Sequence, residues 1–148
     1  MRVADYMVKD VTTLDEDARL LDAALLIRRT GRRHIPIIDS DGRAVGIVTD
    51  RDVARMAPSM LGHITAEEYN AVFEGTPVTR AMTRDPITVT PDTPIEEAVE
   101  ILHSKKIGAV LVVQGGMLAG ILTVTDMLGL LRDLIHQTRK MAKEAGDV

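Results

Sequence analysis

One short segment with potential binding chemistry occurs twice in the sequence, at Gly46 to Asp52 and at Gly120 to Asp126. Each copy reads glycine, two aliphatic residues, threonine, two further residues and aspartate, at a point where a strand pattern changes to a helix pattern. The threonine and aspartate of such a segment can cap the helix. The same geometry can bind a phosphate at the helix start and accept two ribose hydroxyl protons on the carboxylate. Both interpretations stay open for Thr49, Asp52, Thr123 and Asp126.

Positively charged side chains accompany both segments. They are Arg28, Arg29, Arg32, Arg33 and Arg51 near the first segment, and His103, Lys105 and Lys106 near the second. Arg28 and Arg29 fall where a helix should end, and cations there favour the helix dipole without any ligand. Arg33 directly precedes a strand that would line a cleft, so we expect Arg33 to be the better phosphate ligand.

The sequence contains no recognisable catalytic or metal-binding pattern. Because the chain has no cysteine, disulfides, thiolate metal sites and cysteine nucleophiles are excluded. The four histidines form neither a His-x-x-x-His pair nor a triad with serine and a carboxylate, and His34 is better explained as a packed wall residue than as a general base. Asp50 and Asp52 could hold Mg²⁺ beside a nucleotide phosphate, although adjacent acids at a helix start are more often solvated. We therefore predict a protein that is not an enzyme and has no metal site of its own.

The composition is typical of a globular protein with an aliphatic core. The chain has 148 residues, of which 45% are hydrophobic and 2% aromatic, so it has room for one compact body. Its net charge of −4 makes nucleic acid an unlikely partner. The charged residues near the N-terminus leave no apolar signal-peptide region, and we expect a cytoplasmic protein.

The chain repeats itself in register. The segment Val3 to Leu14 reappears as Val78 to Val89, and His34 to Ile38 aligns with Ala109 to Val113 at the same spacing. The spacing is one residue shorter between the two glycine–threonine–aspartate segments, because a turn was shortened. Two copies of one supersecondary unit, each too small to bury its own sheet face, are expected to pack against each other.

Each copy predicts a strand, a helix, two strands and a helix. The first strands are Thr12–Leu14 and Ile87–Val89, and the first helices cover 20–29 and 95–103, with starts marked by Asp17, Asp92 and Pro94. The uncharged stretch Ile107 to Val124 is almost long enough to cross a membrane. Gln114 to Gly116 in its middle is a turn signal, so we predict a hairpin and no membrane contact.

These patterns predict an α/β (α+β) fold of two β-α-β-β-α repeats that pack face to face about a pseudo-twofold axis. The predicted boundaries are 1–57 for the first repeat, 58–77 for a linker with a short helix, 78–131 for the second repeat and 132–148 for a C-terminal helical extension. The linker helix begins with a capping box at Thr65 to Glu68. An apolar stripe including Leu128, Leu131 and Ile135 predicts the C-terminal helix, which ends near Ala145.

The paired motifs resemble a tandem of CBS (cystathionine β-synthase) domains, which is called a Bateman module. The resemblance covers Val3 to Leu131 and rests on the Met-x-x-Asp, Arg-His-Ile-Pro-Ile-Ile-Asp and Gly-Ile-Val-Thr-Asp-Arg-Asp segments. The linker further resembles that of stand-alone bacterial proteins of the acetoin-utilisation type. The resemblance implies a regulatory module that binds AMP, ADP, ATP or S-adenosylmethionine between its repeats, with no other cofactor required, and that forms a homodimer.

The resemblance also implies one set of ligand-binding residues for each repeat. The first cleft would use Thr12, Thr13, Arg33, His34, Ile35, Pro36, Thr49, Arg51 and Asp52. The second cleft would use Thr88, Lys106, Ile107, Gly108, Ala109, Val110, Leu111, Thr123, Thr125 and Asp126. With so few aromatic residues, adenine would be wedged between aliphatic side chains such as Ile35, Pro36, Val110 and Leu111.

The second repeat departs from the family pattern at two positions. Leu111 replaces a frequent proline, and Thr125 stands where the first repeat has Arg51. The second cleft therefore has less positive charge, and we expect the first cleft to bind phosphate-bearing ligands more tightly.

The leading functional hypothesis is a nucleotide sensor that acts in trans on an unknown protein target or on its own assembly. The alternative is a scaffold whose clefts bind no ligand and whose role is oligomerisation. Ligand-dependent stabilisation would distinguish the two hypotheses.

Overall fold

A computed structural model of the chain describes residues 1–59 and 61–146. The first repeat contains β1 (Leu14–Asp15), α1 (Leu20–Thr30), β2 (His34–Ile38), β3 (Ala44–Thr49) and α2 (Asp50–Met56). Three short elements follow, namely α3 (Ala66–Gly75), α4 (Val78–Ala81) and β4 (Thr83–Arg84). The second repeat contains β5 (Thr88–Val89), α5 (Ile95–Lys105), β6 (Ala109–Gln114), β7 (Met117–Thr123) and α6 (Val124–Gly146). The predicted α/β class and repeat order are confirmed.

Two small sheets form the centre of the molecule. One has the strand order β1-β2-β3-β4 and the other has the order β5-β6-β7. In each sheet the first strand is parallel to its neighbour, and the next two strands form an antiparallel hairpin with an irregularity near its end. The uncharged stretch 107–124 is thus largely a hairpin, and no helix in the described ranges is long and apolar enough to cross a membrane.

The segment that leads into each repeat packs on the other repeat. Val3 is fully buried in the core of the second repeat, while Val78 and Met82 are buried in the core of the first. β4 pairs with β3, and Val8 forms the equivalent bridge with Ile121 through two backbone hydrogen bonds of 2.9 and 3.0 Å. The sequence repeats and the packed units therefore do not coincide, since each core is completed by residues of the other copy.

Glycines in β3 and β7 make this exchange possible. A Cβ atom on Gly46 would collide with the Met82 side chain, and one on Gly120 would lie 2.9 Å from both the Met7 sulfur and the Val8 carbonyl oxygen. The methionine that leads into one repeat thus packs against the glycine of the other repeat, Met82 against Gly46 and Met7 against Gly120.

The cores are aliphatic, as the composition indicated. One cluster surrounds Ile35, Ile37 and Val48, and a second surrounds Val110, Val112 and Leu122. A third cluster joins the two sheets. It contains Ala109, Leu111 and Ile121, with Val8, Val11, Ala44, Ile47 and Leu118 packed around them. The two repeats therefore share a continuous apolar contact.

Some local details differ from the sequence predictions. Thr12 and Thr13 precede β1 and are not part of it, because only Leu14 and Asp15 pair with β2. The cap of α1 is Arg19, whose backbone amide donates to Asp22 at 2.8 Å, so Asp17 is not the cap. Helix α6 is continuous over 23 residues, or about 34 Å, and the proposed boundary between 131 and 132 lies within it.

Candidate ligand-binding clefts between the repeats

Two open cavities lie where the start of a helix in one repeat faces the other repeat. The first cleft has a volume of about 660 Å³ and the second about 410 Å³. Both volumes fall within the range of small-molecule sites in proteins. Each cleft is formed by one helix start and by an opposite wall from the other repeat.

The first cleft combines the start of α2 with a wall from the second repeat. Thr49, Asp50, Arg51, Asp52 and Arg55 form the helix side. The segment 106–109 forms the opposite wall, and Ile47, Thr83 and Ile87 line the floor. The structure thus brings Asp52 and Arg51 together with Lys106 to Ala109, which the sequence prediction had assigned to different clefts.

The second cleft repeats this arrangement with the roles of the two repeats exchanged. Thr123, Thr125 and Asp126 belong to β7 and the start of α6, and the opposite wall is the segment 31–34. This wall occupies the position that 106–109 has in the first cleft, as the sequence repeat requires. Arg33, His34 and Thr125 line both cavities.

The threonine and aspartate of each helix start form a capping box. The backbone amide of Thr49 donates to Oδ2 of Asp52 at 2.8 Å, and the Asp52 amide donates to the Thr49 hydroxyl at 3.2 Å. Thr123 and Asp126 make the same two bonds at the same distances. Within the described residues, Oδ1 of Asp52 has only Arg55 as a cationic neighbour, at 3.8 Å. Capping therefore uses one carboxylate oxygen and leaves the other available for a ligand.

Several backbone amides at these helix starts already have hydrogen-bond partners. The Asp50 amide donates to the Arg33 carbonyl at 3.2 Å, and the Arg51 amide donates to the Asp50 side chain at 3.0 Å. In the second repeat, the Val124 amide donates to the Gly108 carbonyl at 3.0 Å. A phosphate in the first cleft would consequently depend on side-chain cations, and the exposed Arg51 and Lys106 face this cleft.

Lys106 adopts a backbone conformation that favours glycine. Its φ angle is 54°, in the left-handed region, where the aligned position of the first repeat is Gly31 with a φ angle of 71°. A side chain at such a position costs roughly 1 kcal/mol of stability. Lys106 directly follows α5, and a left-handed residue is a common end of a helix; its amide donates to the Leu102 carbonyl.

Seven of the residues assigned by resemblance do not line either cavity. Ile35, Pro36, Val110 and Leu111 are fully buried in the apolar clusters, so they present no surface to a base. Thr12 and Thr13 are half-buried, and Thr88 is exposed outside the clefts. Sequence reasoning missed Arg55, Ile47 and Ile87, which line the first cleft. Arg55 lies one helical turn beyond Arg51, and this spacing could have revealed it.

His34 forms part of the wall between the clefts. A Cβ atom on Gly108 would collide with its imidazole ring, so this glycine lets the ring pack across the two repeats. Burial lowers the pKa of His34 below its usual value, and the neighbouring Asp50 carboxylate opposes this effect while Arg33 adds to it. The folded protein therefore favours the neutral ring.

This pKa shift predicts an acid-dependent loss of stability. The contribution of neutral His34 is fully present above pH 6.5 and is lost as the pH falls towards the lower pKa of the folded state. We expect His34→Asn to lose less free energy of unfolding than the wild type between about pH 7.5 and about pH 5. Urea denaturation at both values measures the difference, with His63→Asn in the linker as the control. Equal losses in wild type and His34→Asn would contradict the prediction.

A model of the CBS domain matches the sequence twice, over residues 3–59 and 78–133. The chain belongs to the CBS-domain family. The tandem pair predicted from the repeated motifs is thereby confirmed, and the clefts described above lie between the two CBS repeats.

Relatives of this CBS pair include a much longer enzyme and a protein of similar length. Homoserine O-acetyltransferase of Methanohalobium evestigatum is 27% identical over 132 residues, which cover 88% of this chain and 24% of the enzyme. The CBS pair thus spans about a quarter of that curated relative. The structure of AcuB from Vibrio cholerae is 28% identical with a TM-score of 0.78, and the match covers 95% of this chain and 96% of AcuB.

A third relative was solved with bound ligands. It is the CBS domain pair of MJ0100, in complex with 5′-methylthioadenosine and S-adenosyl-L-methionine. It is 25% identical to this chain with a TM-score of 0.73, and the match covers 90% of this chain and 97% of that one.

Proposed function

We propose that this CBS pair is a non-catalytic regulatory module that binds an adenosyl ligand in the clefts between its repeats. The observation that carries the proposal is a helix-start carboxylate with one oxygen available, facing a wall with cationic side chains across a cavity of suitable size. The ligands of the MJ0100 pair support the adenosyl class. The likeness to AcuB over nearly the whole chain supports a protein of the acetoin-utilisation type, and we place the module in the cytoplasm as part of the same proposal.

The first cleft offers a distinct group for each part of a nucleotide. Oδ1 of Asp52 would accept the ribose hydroxyls, and Arg51 and Lys106 would bind the phosphate. The base would lie against the partly exposed aliphatic side chains of Ile47 and Ile107. The rings of Tyr69 and Phe73 are not available there, because they contact each other with centroids 5.2 Å apart and pack against the first core.

Ligand-dependent stabilisation tests this proposal. A ligand at 100 times its Kd stabilises the folded state by about 2.7 kcal/mol, so we expect a clear rise in Tm with at least one adenosyl compound. The panel contains AMP, ADP, ATP with and without Mg²⁺, and S-adenosylmethionine, with GMP as the control for the base. If no adenosyl compound raises Tm, the proposal fails and a ligand-free scaffold becomes the better account.

We further propose that the module forms a homodimer through α6. Side chains in the described residues 131–146 are exposed, although an apolar stripe runs along this part of the helix. Leu131, Leu134, Ile135 and Met141 recur at the spacing of a coiled-coil seam. The first half of the helix has a net negative charge from Asp126, Arg132 and Asp133, and the second half has a net positive charge from Arg139, Lys140, Lys143 and Glu144. An antiparallel second copy would place opposite charges beside each other and cover the stripe.

Removal of the residues after Leu131 tests this assembly. The truncated chain should stay folded, because the removed side chains are exposed, and its mass by light scattering should fall from that of a dimer to that of a monomer. Leu134→Ser with Ile135→Ser in the full chain should have the same effect. A truncated chain that stays dimeric would assign the stripe to a different protein partner.

A further inference from the structure

The two clefts are separated by a wall that belongs to both of them. Arg33 and His34 face the first cleft on one side and the second cleft on the other, and Thr125 also lines both cavities. The carbonyl of Arg33 is fixed by the Asp50 amide at the start of α2. This bond fixes the backbone of Arg33 at the boundary, and its exposed side chain lines both cavities, so an anion in either cleft could reach the guanidinium group.

Arg33 supplies a different share of the cationic side chains in each cleft. The first cleft has three other cationic side chains, those of Arg51, Arg55 and Lys106. Among the described residues that line the second cleft, Arg32 is the one cation besides Arg33. Carboxylates offset part of the charge in both clefts, Asp50 and Asp52 in the first and Asp126 in the second. Arg33 thus supplies half of the cations of the second cleft and a quarter of those of the first. Within residues 1–59 and 61–146, no carboxylate forms an ion pair with Arg33.

One guanidinium group can pair fully with only one phosphate at a time. When a phosphate in the first cleft engages Arg33, the second cleft retains Arg32 opposite Asp126, and its net attraction for an anion disappears. The bound phosphate also repels a second anion across the thin wall. Neither effect acts on an uncharged ligand.

We propose that phosphate-bearing adenosyl ligands bind the two clefts antagonistically, and that competition for Arg33 couples the clefts. This inference rests on the proposed function, because it requires that both clefts accept an adenosyl ligand. It also predicts an order of binding. A nucleotide binds the first cleft, and the second cleft then favours an adenosyl compound without phosphate.

Calorimetric titration of the full chain with AMP tests the coupling. The affinity of the second cleft is measured twice, in the wild type after the first cleft has filled and in Asp52→Asn, at AMP concentrations that leave the weakened first cleft largely empty. We expect the second cleft to bind AMP roughly 5- to 20-fold more tightly in Asp52→Asn. Adenosine, which has no phosphate, should show no such difference.

Two neighbouring arginines provide a matched pair of variants. Arg33→Gln, introduced into both the wild type and Asp52→Asn, should bring the ratio of the two affinities closer to one, since only the repulsion between the two anions then remains. Arg32→Gln should lower the AMP affinity of the second cleft equally in the wild type and in Asp52→Asn. The ratio should stay unchanged, since Arg32 lines the second cleft and not the first.

The outcomes separate this inference from the proposed function. A ratio of one in the wild-type background, positive cooperativity, or a ratio unaffected by Arg33→Gln would overturn the coupling while adenosyl binding stands. If the wild type binds a single AMP and Asp52→Asn binds none, the second cleft takes no anion and the inference is likewise overturned. If neither AMP nor adenosine binds the wild type, both the inference and the proposed function are refuted.

Discussion

Asp52→Asn is expected to weaken AMP binding at the tighter site roughly 10- to 100-fold, as befits the loss of hydrogen bonds to a charged acceptor. The asparagine oxygen can still accept the Thr49 amide and so keep the helix cap. Its remaining group is an NH₂ donor, which cannot accept ribose hydroxyl protons as Oδ1 of aspartate would. The substitution therefore separates the two roles of this carboxylate.

The matched control is Asp126→Asn, which makes the same chemical change in the second cleft. Because the second cleft has fewer cations, the tighter AMP event should keep its affinity in this variant. Calorimetric titration measures both variants, and denaturation of the unliganded chains checks that the caps are intact. If Asp126→Asn alone abolished binding, the assignment of the first cleft as the main phosphate site would be wrong.

Gly46→Ala should destabilise the protein by about 1–3 kcal/mol through overpacking. The added Cβ would lie 2.9 Å from Cγ of Met82 and 3.0 Å from the Thr83 carbonyl oxygen, and it would collide with the methionine sulfur. The backbone oxygen cannot rotate away, so β4 would have to move off β3. We expect Tm to fall by roughly 3–10 °C.

Gly129→Ala is the control for a glycine substitution that meets no neighbour. This glycine lies in α6, and a Cβ atom there would meet nothing within 4 Å beyond its chain neighbours and the nearby backbone of its own helix. Its replacement should leave Tm unchanged or raise it slightly, because alanine favours a helix more than glycine does. If Gly46→Ala were as harmless as Gly129→Ala, the contact between the repeats at Met82 would contribute little to stability.

Local patterns in the sequence were sufficient to predict the elements and the repeat. The apolar spacing in 20–29 and 95–103 predicted α1 and α5, and the turn at Gln114 predicted the hairpin of β6 and β7. The capping boxes at Thr49 and Thr123 were also predictable, because threonine and aspartate interact within one turn of helix. Each of these features depends on residues that are close in the chain.

Which residues meet across the clefts could not be predicted in this way. The sequence prediction grouped Lys106 with Thr123, but the structure places Lys106 opposite Thr49. The local sequence pattern cannot indicate a contact between residues so far apart in the chain. This contact arises from the way the two repeats pack against each other. The left-handed φ angle of Lys106 was equally hidden, since nothing in the neighbouring residues requires it.

Strand geometry explains why the side chains predicted to hold adenine are buried in this structure. Ile35, Pro36 and Ile37 in β2 are all buried, although successive side chains of a strand point to opposite faces. β2 lies between β1 and β3 and is covered on both faces, so neither face is open to a ligand. The residues at the ends of the strands, such as His34, reach the clefts instead.

The exchange of leading segments between the repeats has a consequence for folding. Neither half of the chain contains its own complete core. The first core includes Val78 from the second half, and the second core includes Val3 from the first half. The two repeats should therefore unfold together as one cooperative unit, and an isolated repeat should not persist as a folded species. The second core includes Val3 together with Val89 to Leu130, and Val8 pairs with Ile121. Closing the second core therefore costs the loop entropy of most of the chain. A ligand that holds either cleft stabilises the entire molecule against unfolding.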